Sequence, residues 1–179
     1  MRNQNQSIRN MVLAALMLAL AYILPNFTGN IPQIGAMLLP MHLPTILCGF
    51  LCGGPWGAAV GFIAPLMRSL ILTKPSLFPT AIAMAFELAT YGLVSGVLYR
   101  RLPKSLVGIY TALIGAMLCG RVVWGIVTAL LLMGGEGFTF AAFIAGAFTN
   151  AIPGIILQLA AIPVVVLALQ KAKLIAQPA

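Results

Sequence analysis

SLVGIYTALIGAMLCGRVVWGIVTALLLM (Ser105–Met133) carries a single charge, Arg121, in an otherwise apolar run. The run is longer than the roughly 20 residues that carry a helix across a bilayer. Just upstream, TAIAMAFELATYGLVSGVLY (Thr80–Tyr99) repeats the pattern with one charge, Glu87, and closes on Arg100-Arg101-Leu102-Pro103-Lys104. Apolar runs of this length, flanked by basic residues, read as membrane spans. Downstream, the tight loop Gly134–Gly137, which holds Glu136, leads into an apolar stretch over 138–170 that contains Pro153 and Pro163. Proline is tolerated in a membrane helix when neighbours satisfy the freed carbonyl, so 138–170 is expected to be one continuous span. Upstream lie Trp56 to Leu72, a shorter run from Met41 to Gly54, and a first run from Ile8 to Pro25. Gly53-Gly54-Pro55 is a turn signal that makes the second and third runs a helical hairpin. TKPSLFP (Thr73–Pro79) and NFTGNIPQIGAMLLP (Asn26–Pro40) are loops, the latter uncharged and partly apolar.

The expected fold is therefore an all-α integral membrane protein. It is a bundle of six transmembrane helices in a single membrane domain over 1–179, with spans over 8–25, 41–54, 56–72, 80–99, 105–133 and 138–170. Composition agrees. Of the 179 residues, 61% are hydrophobic and 7% charged, with a mean hydropathy of +1.07. A soluble domain carries about 25% charged residues. These values exclude a soluble globule, a disordered chain and a disulfide-stapled secreted module. The start, Met1–Asn10, is polar and basic, and Ala19-Leu20-Ala21 resembles a signal-peptidase site. Because the rest of the chain is equally apolar, this segment reads more simply as the first of several spans.

The net charge of +8 comes from ten Lys and Arg against two acids. Arg2, Arg9, Arg100, Arg101, Lys104, Lys171 and Lys173 all flank apolar runs on what becomes one side of the membrane. Lys74 lies on the other side, with Arg68 near a helix end. That asymmetry orients the bundle with both termini in the cytoplasm, N-in and C-in. It is a topology signal, and no nucleic-acid partner is expected. Cys48, Cys52 and Cys119 sit in apolar runs and read as packed thiols. With His42 they match no zinc spacing, so no metal site is expected.

Catalytic chemistry finds little support. There is no phosphate-binding G-x-x-x-x-G-K-[ST] and no G-x-S-x-G elbow. The chain has no Asp and only two Glu, which leaves nothing for paired-carboxylate catalysis. It is read as a non-enzyme. The informative residues are ionisable groups inside the spans, which are costly in lipid and mark a functional interior. At about 1.5 Å per residue, Glu87 lies roughly 10 Å from the outer surface and Arg121 roughly 18 Å. Tyr91 shares a face with Glu87, and Trp124 and Thr128 share one with Arg121. Phe143, Asn150 and Gly154 form a comparable stripe, with Gln33 and His42 at the entrance. If Glu87 neutralises one of the arginines, Arg68 or Arg121, the other stays available for an anionic group on the ligand. The set describes an outward-opening chamber for a small polar organic ligand. A plainer reading stays open beside it, in which Glu87 and Arg121 only hold two helices together and His42 and Trp124 only pack. No proton or ion relay and no inverted repeat is visible, so nothing in the chain would power transport by itself.

Several stretches carry a resemblance. They are Ala15-Leu16-Met17-Leu18-Ala19, MHLPTILCGFLCGGPWG (Met41–Gly57), GFIAPLMRS (Gly61–Ser69), PTAIAMAFELATYG (Pro79–Gly92) and FTNAIPGI (Phe148–Ile155). Together with the size, the six spans and the long first outer loop, they resemble the substrate-binding S components of energy-coupling factor (ECF) vitamin transporters. The branch associated with pantothenate uptake is the most similar. The resemblance implies a multi-pass protein of a prokaryotic cell membrane that works with a transmembrane coupling (T) subunit and two cytoplasmic ATPase subunits. ATP would be used by those partners and no cofactor bound by this chain. It implies vitamin binding by Gln33, Glu87, Tyr91, Arg121, Trp124 and Asn150, and coupling through Ala15 and Ala19 on the first helix. A pyridoxine-like compound, hydroxymethylpyrimidine or folate is the alternative ligand. A structural subunit that binds no solute and a self-sufficient carrier are the alternative roles.

The charge asymmetry yields a direct test of orientation. In a cysteine-free background, single cysteines at Gly29 and Gly135 should react with an impermeant thiol reagent added outside, and one at Lys104 should not. Labelling at Lys104 but not at Gly29 would invert the topology.

Overall fold

Gly53 and Pro55 set how the middle of the chain turns. Gly53 has φ +96°, a backbone region open to glycine at little cost, and Pro55 follows within the first turn of a helix, where its missing N–H is harmless. The result is two antiparallel helices joined at one residue. The computed structural model describes residues 2–28, 37–133 and 138–172. Among these, α1 is Arg2–Ile23, α2 His42–Cys52, α3 Gly54–Leu72, α4 Ile82–Arg101, α5 Leu106–Leu131, α6 Phe140–Ala147 and α7 Ile152–Lys171. All described regular structure is helical. Five segments are long and apolar enough to cross a membrane. Helix α2 has 11 residues and reaches roughly 16 Å, about half the hydrocarbon thickness.

The last span departs from expectation. Rather than one helix over 138–170, the chain makes α6, a 3-10 turn at Thr149–Ala151, and α7. The break is at Phe148, whose φ −125° and ψ −62° leave the helix. Pro153 is the physical cause, because its ring would clash with the carbonyl four residues back and it has no N–H to donate. It starts α7 instead of interrupting a longer helix. Pro163, by contrast, stays inside α7 and is buried.

Helix α4 is the centre of the bundle and packs on α2, α3 and α5. Small residues allow this. A side-chain carbon added at Gly57 would lie 2.6 Å from the Gly92 carbonyl oxygen, and one at Gly92 would collide with the Gly57 backbone. The two helices therefore cross with their backbones in contact, as small residues permit in membranes. The glycine spacing in the second and third runs thus serves the protein's own packing. On α1 the small residues divide. Ala14, Met17 and Ala21 are buried, while Ala15 and Ala19 face outward.

Both ends of the bundle are tied by polar groups. At one end, the Arg100 guanidinium donates to the Cys52 carbonyl at 3.1 Å, and the Gln170 amide donates to the Tyr99 hydroxyl at 2.7 Å and the Lys104 carbonyl at 3.3 Å. At the other end, Arg68 donates to the Tyr22 carbonyl at 2.7 Å and to Asn26 Oδ1 at 3.1 Å. The first set joins the C-terminal ends of α2, α4 and α7, so these three helices run in parallel and α5 runs against them.

The backbone contact between α3 and α4 predicts a graded response to added methyl groups. Gly92→Ala should lose about 1–3 kcal/mol, the usual penalty for overpacking, and melt earlier in detergent. Gly115→Ala meets only the end of the Leu98 side chain, at 2.8 Å. It should leave the melting temperature unchanged or raise it, since alanine favours the helix.

Candidate functional site

A buried carboxylate on the central helix gathers three partners. Glu87 is 1% exposed on α4. Its Oε1 accepts from Arg121 Nη1 of α5 at 2.7 Å and from the Tyr91 hydroxyl, one turn along α4, at 3.1 Å. His42, the first residue of α2, places Nε2 3.5 Å from the same oxygen, with its ring 5.1 Å from that of Tyr91. His42 is buried because Gly49, Gly92 and Gly96 draw α2 close against α4. Four of the residues singled out from the sequence thus meet at one point, although they come from three helices.

The ion pair uses only part of Arg121. Its Nε and Nη2 are buried and have no hydrogen-bond partner among the described residues. These two nitrogens form one edge of the guanidinium fork, the edge that receives a carboxylate through two parallel bonds. Removing a guanidinium from water without filling its donors is unfavourable. That edge is the part of the cluster suited to a ligand.

The other residues singled out from the sequence lie elsewhere. Arg68 is not a spare cation in the chamber. It closes the C-terminal end of α1 through Tyr22 and Asn26, over the Tyr22 ring at 5.9 Å. Trp124 stacks on Phe143 at 6.2 Å and meets Phe138 edge-on at 5.6 Å. A side-chain carbon on Gly146 would lie 2.8 Å from its ring, so Trp124 wedges α6 against α5, one turn beyond Arg121. Asn150 is exposed in the 3-10 turn. The break at Phe148 takes it off the stripe expected with Phe143 and Gly154. Gln33 lies outside the described residues, as does Glu136. Among the described residues no group of His, Cys and Glu is arranged to hold a metal ion.

One buried polar residue escaped the sequence reading as a site member. Gln158 of α7 is 1% exposed and neither atom of its amide has a partner. Thr128 of α5, expected on the Arg121 face, is buried, and its hydroxyl has no partner among the described residues. The available signal was a lone amide within the apolar stretch IILQLAAI (Ile155–Ile162), of the same kind that marked Glu87 and Arg121.

Comparison with known proteins gives one match. The family model for the ECF transporter substrate-specific component matches residues 9–166. No curated protein and no solved structure matches the chain.

Proposed function

The chain belongs to the family of ECF transporter substrate-specific components, and from that premise we propose that it is a high-affinity binding subunit for a small carboxylate vitamin, pantothenate in the first instance. Proteins of this family are multi-pass membrane transport subunits, not enzymes. They associate with a transmembrane T subunit and ATPase subunits. The observation that carries the ligand reading is the open edge of Arg121. A buried guanidinium already half-matched by Glu87 calls for one more acceptor group with two oxygens. A carboxylate supplies it and adds the second negative charge next to a cation. Pantothenate is a monoanion with hydroxyls and an amide, which also suits a chamber that offers few aromatic faces for stacking a vitamin ring. ATP is consumed by the partner ATPases, and this chain binds no cofactor. The outward-facing Ala15 and Ala19 suit close approach of the T subunit. In this reading the chain resides in a prokaryotic plasma membrane with both termini inside.

Ala15→Trp should therefore abolish ATP-driven uptake in the assembled complex while leaving binding to the isolated subunit intact. Equal loss of both would assign the row to internal packing.

The site itself is tested by calorimetry on solubilised protein. Arg121→Ala should weaken pantothenate binding by about 2–5 kcal/mol, the range for truncating one side of a buried charge pair. Arg121→Lys should recover only part, because an ammonium cannot make the forked contact. The uncharged alcohol analogue, pantothenol, should bind the wild type poorly and lose much less on Arg121→Ala. If acid and alcohol lose equally, or only the melting temperature falls, Arg121 is structural and the anion site is wrong.

A further inference from the structure

Four helices each carry a buried polar residue one turn from a residue of the shared core, and the Gln170–Tyr99 tie sets Gln158 of α7 and Glu87 of α4 equally far along their parallel helices. Ile46 of α2, Tyr91 of α4, Met117 of α5 and Ile162 of α7 belong to one buried core cluster. Helices α2, α4 and α7 run in parallel, and α5 runs against them, as their tied ends require. Four residues, about one turn, toward the end where α2 begins, the four helices carry His42, Glu87, Arg121 and Gln158. The step is backward along α2, α4 and α7 and forward along α5. All four side chains are at least nine-tenths buried. One further turn along α7, Gly154 lies under the chain itself. A side-chain carbon there would be 2.6 Å from the Met37 carbonyl oxygen and 2.9 Å from Leu38. The segment leading into α2 therefore packs on α7 one turn from Gln158.

Glu87 accepts from Arg121 Nη1 and from the Tyr91 hydroxyl, with the His42 ring 3.5 Å from the same oxygen. Among the described residues, the groups of His42, Glu87, Arg121 and Gln158 left without a hydrogen-bond partner are Arg121 Nε and Nη2, both ring nitrogens of His42 and both ends of the Gln158 amide. A buried amide with neither donor nor acceptor matched is strongly disfavoured unless something else fills it.

We infer that Gln158 is a ligand-reading residue of the Arg121 chamber, recognising the uncharged hydroxyl or amide part of a solute whose carboxylate lies on Arg121. The inference rests on the binding role proposed above and adds a second point of recognition to it. An amide both donates and accepts, so it matches a group that does the same, such as a hydroxyl or a secondary amide. Arg121 then selects for charge, and Gln158 selects for the polar body of the solute. A carboxylate lacking that body, such as a simple fatty acid, would leave the amide unmatched and be rejected.

Gln158→Leu tests this, with pantothenate and pantothenol as probes and wild type and Arg121→Ala as references. In ligand-free protein the melting temperature should stay level or rise, because an unmatched polar group is replaced by an apolar one. Affinity for both probes should fall at least tenfold, with the preference for acid over alcohol retained. Arg121→Ala should do the reverse and abolish the preference. A fall in the ligand-free melting temperature overturns the inference, since Gln158 would then be matched by ordered water as part of the scaffold. Unchanged affinity overturns it too. If the wild type ignores pantothenate, only the choice of vitamin fails. The same comparison is then read on the solute that co-purifies with the wild type, released by denaturation and quantified by mass spectrometry. Gln158→Leu protein should carry less than a tenth of it, and an equal load overturns the inference. A wild type that binds neither probe and carries no solute overturns both readings.

Discussion

Glu87 and Arg121 meet at 2.7 Å inside a bundle whose exterior is hydrocarbon-facing. Neither residue is tolerable alone at that depth, because a lone charge in a low-dielectric interior has no solvent to stabilise it. The pair therefore constrains the geometry around it. Helices α4 and α5 must lie side by side with these two positions facing. The carboxylate then draws in the His42 ring from α2 and the Tyr91 hydroxyl from α4. Each of these contacts converges on one oxygen, so the orientation of three helices is set around a single atom.

That convergence is possible only because α4 can be approached from several sides at once. Gly92 admits the backbone of α3 at Gly57, and Gly96 admits the chain at Gly49, Gly53 and Gly54. On the other flank Gly120 of α5 lies against the Tyr91 ring. Bulkier residues would hold the neighbouring helices apart, and the distances at Glu87 would lengthen beyond hydrogen bonding. Packing and electrostatics in this bundle are thus one problem. The small residues bring the backbones close, and the charges penalise any arrangement in which they do not meet.

Much of this is legible in the chain before any coordinates. Charges within apolar runs stand out against lipid, so Glu87 and Arg121 mark themselves, and Tyr91 follows from helical spacing, whereas His42, expected at the entrance, is buried beside Glu87. The small-residue rows announce close crossings. What is not legible is partnership. Arg68 reads as a spare cation because its acceptors, the Tyr22 carbonyl and the Asn26 amide, are a backbone atom and a residue more than forty positions away. The break at Phe148 is signalled by Pro153, but a membrane proline can sit inside a helix, as Pro163 does here. Only packing decides between the two outcomes. Gln158 is overlooked because it carries no charge, although a buried amide is governed by the same rule of satisfaction as a buried ion.

The cation balance in the interior supports the proposed preference for an anionic ligand. Two arginines are buried among the described residues, against one carboxylate. Arg68 is answered by the carbonyl end of α1, where the helix dipole is negative, and by Asn26. It needs no anion to be stable. Arg121 is answered on one side only, by Glu87. The carboxylate neutralises its charge overall but leaves two donors facing nothing. A neutral solute could fill those donors but would gain little from the cation. A second carboxylate fills both with the fork geometry that the planar group favours. Under the proposed reading, Glu87 would oppose that second anion at short range, which would keep a bound carboxylate from being trapped irreversibly. A substrate-specific transport subunit must both hold and release its solute, and the proposed site would meet both demands with one incomplete ion pair.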